Sequence, residues 1–168
     1  MPTLVSMGEC MVEMFSDEPL GSAQSFRRSY GGDTLNTLVM ASRLGTTVGY
    51  ITRVGRDPFG PYLLDSWQAE GVDTLHAPMV QGFNGLYFIA LLERGQREFT
   101  YYRKGSAATS LGTEDVDVGY IAGAGMLHLS GITQAISPSA RQATLRAAQI
   151  ARSHGVRVSY DPNLRLQL

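Results

Sequence analysis

The sequence predicts an α/β fold: a mostly parallel sheet with helices on both faces. Three features predict it. Short apolar runs of strand length, Thr3–Met7, Val48–Val54, Met126–Ser130 and Val156–Tyr160, alternate with stretches of helical pattern. Those helices carry their own punctuation, a glycine behind or a Ser/Asp–Pro pair ahead. The alternation breaks once, at Gly85–Lys104, where two strand patterns follow each other with no helix between them. Such a hairpin cannot join a parallel sheet and must stand apart from it.

Taken in order, Thr3–Met7 is a buried strand that enters Gly8. Phe15–Tyr30 is polar, with Pro19 and Gly21, and reads as a loop with short strands leaving the main sheet. Thr34–Leu44 is a helix with Leu35, Leu38 and Val39 on one face, stopped by Gly45. Val48–Val54 is a strand. Asp57-Pro58 caps a helix that runs to about Glu70, with Leu63, Leu64 and Trp67 turned inward and Gly71 at its end. Gly85–Glu93 and Glu98–Lys104 form the hairpin around Arg94-Gly95-Gln96. Ser137-Pro138 opens an Ala-, Leu- and Arg-rich helix that ends near Gly155. The strand Val156–Tyr160 then delivers Asp161–Arg165. Ligands of such sheets lie beyond the carboxyl ends of the strands, where Gly31-Gly32, the hairpin and Arg165 can converge.

Composition narrows the function classes. A chain of 168 residues can bury a real core, and 43% hydrophobic with 17% charged residues is a globular, not a disordered, balance. A net charge of −1 argues against a nucleic-acid partner. The single Cys10 rules out an internal disulfide framework and fits a reducing cytoplasm, the expected location. The amino terminus lacks the basic region of a signal peptide, and Glu9 interrupts its apolar run. The longest uncharged stretch, Val118–Ala140, is too polar to span a membrane. His76, His128 and His154 share no metal-ligand spacing; His128 reads as a satisfied core residue and His154 as a partner for the carbonyl end of its helix. No metal site is expected.

Arginine is the side chain that forks onto carboxylates and phosphates, and Arg103 and Arg165 are the leading candidates for such contacts. Each also reads as an ordinary surface charge. Tyr87 and Tyr101 read equally as aromatic strand residues. Asp33 reads as a cap for the following helix, and Glu9 as a solvated loop charge in preference to a site residue. Several phosphate motifs are absent. Lys104, the only lysine, is followed by Gly105, so there is no Walker A element, and Gly123-Ala124-Gly125 lacks the third glycine of the dinucleotide fingerprint.

The most specific signal is Gly31–Gly60. A glycine pair ahead of a helix lets backbone N–H groups approach a polar ligand, and Asn36 lies one turn inside. Gly31, Gly32, Asn36, Gly45 and Gly55 resemble, in order and spacing, the first signature of the ribokinase (PfkB-type) carbohydrate kinases. Thr34 and Leu38 depart from the general pattern, but GGDTLNT is the form typical of the 2-keto-3-deoxygluconate kinase branch. Gly8-Glu9-Cys10-Met11 resembles that branch's first strand end. Gly85-Leu86-Tyr87 and Tyr101-Tyr102-Arg103 resemble its sugar-contact strands, and Asp161–Arg165 its Asp-x-Asn-x-Arg element.

The resemblance implies a ribokinase-like, Rossmann-like body with a small β-sheet lid drawn from about residues 15–30 and 84–104. It implies that Gly31, Gly32, Asp33, Asn36, Tyr87, Tyr101, Arg103 and Arg165 contact a sugar acid, and that Asn163 and Arg165 lie near nucleotide phosphates. It also implies ATP and Mg2+ as cofactors and a homo-oligomer assembled through the lid. It covers essentially all 168 residues but only the first half of a family member. The ATP-binding half, with a Gly-Ala-Gly-Asp element whose Asp is the base, is expected outside this chain, so no catalytic residue is expected within it and the chain alone is expected to be inactive. Three readings follow: a kinase for 2-keto-3-deoxygluconate; a kinase for a neutral sugar such as ribose or fructose; and a non-catalytic sugar-acid binding or assembly module.

Overall fold

The computed structural model describes residues 1–166 and Leu168. In chain order its strands and helices are β1 (Leu4–Met7), β2 (Cys10–Ser16), β3 (Arg27–Gly32), α1 (Leu35–Arg43), β4 (Val48–Ile51), β5 (Val54–Gly55), α2 (Phe59–Ala69), β6 (Val72–Asp73), β7 (Met79–Val80), β8 (Leu86–Leu91), β9 (Arg97–Tyr102), α3 (Val118–Ala122), β10 (Met126–Ser130), α4 (Gly131–Ile136), α5 (Pro138–Ser153) and β11 (Arg157–Asp161).

Five strands form a parallel sheet in the order β11-β10-β1-β4-β6. The period-2 alternation of β1 divides the core between its two faces. Val5 and Met7 pack with Ala140, Ala143, Ala147 and Ala151 of α5 and with Ile121 of α3. The small side chains of α5 recur on one helical face and let it lie close to the sheet. Leu4 points the other way and packs with Leu35 and Leu38 of α1 and with Leu63 and Trp67 of α2. Trp67 sits edge-to-face on Tyr50, with ring centroids 5.3 Å apart. Helices therefore cover both faces of the sheet.

The punctuation works as expected. Gly45 and Gly155 take φ of +90° and +72° behind α1 and α5, the left-handed turn that glycine enters without a Cβ clash. The Ser137 hydroxyl accepts from Ala140 N–H at 3.0 Å ahead of α5, with Pro138 in its first turn. Asp57 accepts from Phe59 N–H at 2.9 Å and Gly60 N–H at 3.1 Å at the start of α2.

The hairpin does stand apart. It joins β2 and β3 in a second sheet of order β3-β2-β8-β9, in which Tyr87 lies directly opposite Tyr101. This sheet takes up the chain earlier than the expected 15–30 segment, because β2 begins at Cys10. The expected strand Val48–Val54 is two strands: β4 stays in the main sheet, and β5 turns away to pair with β7. Two helices lacked a sequence signal, α3 and α4.

Candidate functional site

The strands β1, β10 and β11 all end at one edge of the main sheet, and the second sheet rises beside that edge. Between them lies a cavity of about 470 Å³. Its lining includes Gly31, Gly32, Asp33 and Asn36 from the start of α1, and Tyr87, Tyr101 and Arg103 from the second sheet. Asn163 and Arg165 reach it from beyond β11. The structure thus gathers all nine residues singled out in the sequence on one concave surface. A second concavity, of about 570 Å³ and lined by His76, Glu114, Asp115 and Asp117, shares no residue with it; Arg53 already holds Glu114 and Asp115 there.

One wall is aromatic. Tyr87 and Tyr101 stack with centroids 5.8 Å apart, and Tyr101 stacks on Phe99 at 6.0 Å. The Arg103 guanidinium sits 5.6 Å from the Tyr101 ring centroid. Residues 99, 101 and 103 alternate along β9 and just beyond it, so strand periodicity places all three on one face. Tyr87 also donates its hydroxyl to the Glu13 carboxylate. Burial, then that carboxylate, raises the Tyr87 pKa, so the phenol stays neutral.

The floor is polar and tightly tied. Asp33 accepts from Glu9 N–H and Thr34 N–H, both at 2.9 Å, and from the Thr133 hydroxyl of α4. Burial raises its pKa, and these hydrogen bonds pull it back. Asp33 is therefore not the helix cap expected from its position; it joins α1, α4 and the link between β1 and β2. Asn36 turns back to accept from Gly32 N–H at 3.2 Å. The glycine pair also has a packing reason: a Cβ at Gly31 would stand 2.5 Å from the Tyr87 hydroxyl, and one at Gly32 would stand 2.5 Å from the Glu9 carbonyl.

Glu9 departs most from expectation. It is 1% exposed, not solvated, and forms an ion pair with Arg103. Burial raises its pKa, and the Arg103 charge opposes the rise. Arg103 is thus already supplied with a protein anion. Arg165 is exposed, and its Nη1 donates to the neighbouring Leu164 carbonyl at 3.1 Å. Asn163 takes a φ of 37° and its N–H donates to Asp161 Oδ1 at 3.0 Å, in a local turn that presents its side chain.

Among lining residues without an earlier signal, Met11, Phe99, Lys104 and Ile132 stand out. Phe99 could have been found from its alternation with Tyr101. Ile132 belongs to the unforeseen α4. His128 and His154 have the roles read for them: His128 Nδ1 is 3.1 Å from Ser159 Oγ, and His154 Nδ1 is 3.0 Å from the Ile150 carbonyl.

Comparison with known proteins adds the decisive observation. The profile of the pfkB family carbohydrate kinases matches residues 1–168. The chain belongs to this family. Among pfkB relatives, 2-dehydro-3-deoxygluconokinase of Escherichia coli K12 is 36% identical over 171 residues, spanning 96% of this chain and 54% of the relative. A probable fructokinase of Arabidopsis thaliana is 32% identical, spanning 98% and 52%. The crystal structure of a PfkB protein from a Polaromonas species superposes with a TM-score of 0.94 at 32% identity, over 99% of this chain and 57% of that one. The chain spans about half the length of the curated relatives it matches. The family fold is the ribokinase-like α/β body with the second sheet set beside it. Among the described residues no helix is long and apolar enough to cross a membrane.

Proposed function

We propose that this chain forms the sugar-binding half of a kinase that transfers a phosphoryl group from ATP to the 6-hydroxyl of 2-keto-3-deoxygluconate. One observation carries the reading: three cationic side chains, Arg103, Lys104 and Arg165, share a cavity with a tyrosine wall and Asn36. Guanidinium groups recognise carboxylates through paired charge-assisted hydrogen bonds, each worth about 1.5–3 kcal/mol. Tyrosine faces suit the apolar faces of a sugar chain, and amide groups suit its hydroxyls. The 2-dehydro-3-deoxygluconokinases of Bacillus subtilis and E. coli among the relatives support the same substrate class.

Asn163 and Arg165, an amide and a guanidinium that both line the cavity, would suit a phosphate group. They would orient the nucleotide, and Mg2+ would arrive with it. ATP supplies the transferred phosphoryl group. Asp33 does not suit the role of base, because its carboxylate already accepts three hydrogen bonds. The sequence contains no Gly-Ala-Gly-Asp element. We assign the base to a part of the kinase outside these residues and the second sheet to a lid over the sugar. That sheet's open edges, β3 and β9, and the exposed Tyr102, which does not line the cavity, would serve a homo-oligomer contact.

A second reading is a kinase for a neutral hexose such as fructose. The Glu9–Arg103 pair favours it, since Arg103 then needs no ligand anion, and fructokinases are among the relatives. A coupled ADP-release assay on the full-length protein separates the two. The acid-kinase reading expects turnover with 2-keto-3-deoxygluconate at least about tenfold more efficient than with fructose, a difference of ~1.4 kcal/mol. Fructose as the better substrate would establish the second reading instead.

A further inference from the structure

Glu9, at 1% exposure, is among the most deeply buried charged groups of the chain, and the acid-kinase reading gives it no role. It occupies the two-residue link between β1 and β2 and does not line the cavity. Its N–H donates to Asp33 at 2.9 Å, and its carbonyl oxygen packs against Gly32, 2.5 Å from where a Cβ would stand. Its side chain reaches across 94 residues of sequence to Nη2 of Arg103, which does line the cavity. Glu9 Oε1 and Arg103 Nε are two of the eight buried side-chain atoms that lack hydrogen-bond partners among the described residues. They make no bond to each other, so Glu9 meets the guanidinium through Nη2 alone and does not occupy Nη1, which is left for a ligand.

We propose that Glu9 is a specificity-determining positioning residue: it holds Arg103 from behind and, as its internal counter-ion, sets how strongly the cavity favours an anionic over a neutral sugar. The inference rests on the assignment of Arg103 to the sugar site. When Arg103 meets a ligand carboxylate, it stands between two carboxylates. The second of these, Glu9, repels the ligand across a poorly solvated gap where charges are weakly screened. A neutral ligand feels no such repulsion. Glu9 therefore trades acid affinity for a fixed, neutralised arginine in the empty cavity, where an unpaired guanidinium would be costly.

The groups facing Glu9 set the sign of its pH dependence. Arg103 from the second sheet favours the carboxylate, and Asp33 ahead of α1 disfavours it. Cys10, next along β2, stays a neutral thiol because burial pushes its pKa up. Protonation of Glu9 at low pH removes its repulsion, while the ligand, a 2-keto acid, remains ionised.

The test is calorimetric titration of the full-length protein, wild type and Glu9→Gln, with 2-keto-3-deoxygluconate and with fructose, between about pH 8 and about pH 5.5. Gln keeps a hydrogen bond to Arg103 and loses the charge. The ratio of acid to fructose affinity should rise about tenfold in Glu9→Gln at pH 8. In wild type the ratio should climb as pH falls, and in Glu9→Gln it should stay flat. A purely structural Glu9 would lower both affinities and leave the ratio and its pH profile unchanged, which overturns the proposal, as does binding of neither ligand by either form. If Glu9→Gln does not fold, Glu9→Asp decides: it draws the charge back from Arg103, and an acid-to-fructose ratio unchanged from wild type overturns the proposal. A wild type that prefers fructose, with Glu9→Gln shifted toward the acid, would support the role of Glu9 and overturn the acid-kinase reading. A wild type that prefers the acid, with the ratio unmoved in Glu9→Gln, would do the reverse.

Discussion

Asp57 and Asn84 lock the start of the second sheet onto the main body. The Asp57 carboxylate accepts from Asn84 N–H at 2.7 Å and from its side-chain amide at 2.6 Å, while it also caps α2. Asn84 in turn brackets Gly55, accepting from its N–H at 2.8 Å and donating to its carbonyl at 3.0 Å. β8 begins two residues later, so this pair is the root from which the tyrosine wall hangs. Asp57→Ala removes the cap and leaves the Asn84 donors unpaired, and it should destabilise the protein by about 2–4 kcal/mol. Urea denaturation measures this; a loss under about 0.5 kcal/mol would be that of an ordinary surface substitution.

Gly8 supports the floor in a different way. A Cβ there would lie 2.2 Å from Thr34 Oγ1 and 2.5 Å from Asp33 Oδ1. Gly8→Ala should push Asp33 off Glu9 and Thr133, costing about 2 kcal/mol or more in stability and weakening sugar binding. A variant with wild-type melting temperature and affinity would mean that Asp33 is free to move.

Much of this was legible in the sequence, for local reasons. Gly45 and Gly155 behind helices, and Ser137-Pro138 ahead of one, act within a turn of themselves, so α1 and α5 could be read directly. α4 was hidden because Gly131 follows β10 without a loop; its cap is Ser130, the last residue of the strand, which accepts from Ile132 N–H at 3.2 Å. The Val48–Val54 run was misread as one strand because its division depends on β7, some 25 residues away, and not on any breaker between Ile51 and Val54. In the site, glycines and arginines announced themselves by type. Glu9 did not, because its burial is set by an arginine 94 positions later, and a lone glutamate after a glycine carries no mark of that partner.

Four tyrosines should make the fold sensitive to alkali. Burial raises the pKa of Tyr30, Tyr50, Tyr87 and Tyr120, with Glu13 adding to the rise at Tyr87 and Asp73 at Tyr120. Unfolded tyrosine ionises near pH ~10, so above that pH the folded state binds more protons than the unfolded state. Their contribution is complete below about pH 10 and is lost as pH rises beyond it. Unfolding free energies measured from about pH 8 to about pH 11 should therefore fall at the alkaline end. Tyr120→Phe, which removes the 2.8 Å bond to Asp73, should make the fall shallower. An identical slope in that variant would contradict the assignment.

If the second sheet closes over a sugar, hydrogen exchange of the full-length protein should slow in Leu86–Leu91 and Arg97–Tyr102 at saturating ligand, with little change in β1 and β10 at the centre of the main sheet. Equal exchange with and without ligand would leave the sheet as a fixed wall.

The central claim is that Arg103 and Arg165 make this a site for a sugar acid. The most direct measurement is calorimetric titration of the full-length protein with 2-keto-3-deoxygluconate and with fructose, in wild type and in Arg165→Ala. Arg165 is exposed, so its removal leaves no buried group unpaired. The account predicts that wild type binds the acid at least about tenfold tighter than fructose, or ~1.4 kcal/mol, and that Arg165→Ala loses most of that preference while its fructose affinity stays put. Equal affinity for both ligands in wild type, unchanged by Arg165→Ala, would contradict it.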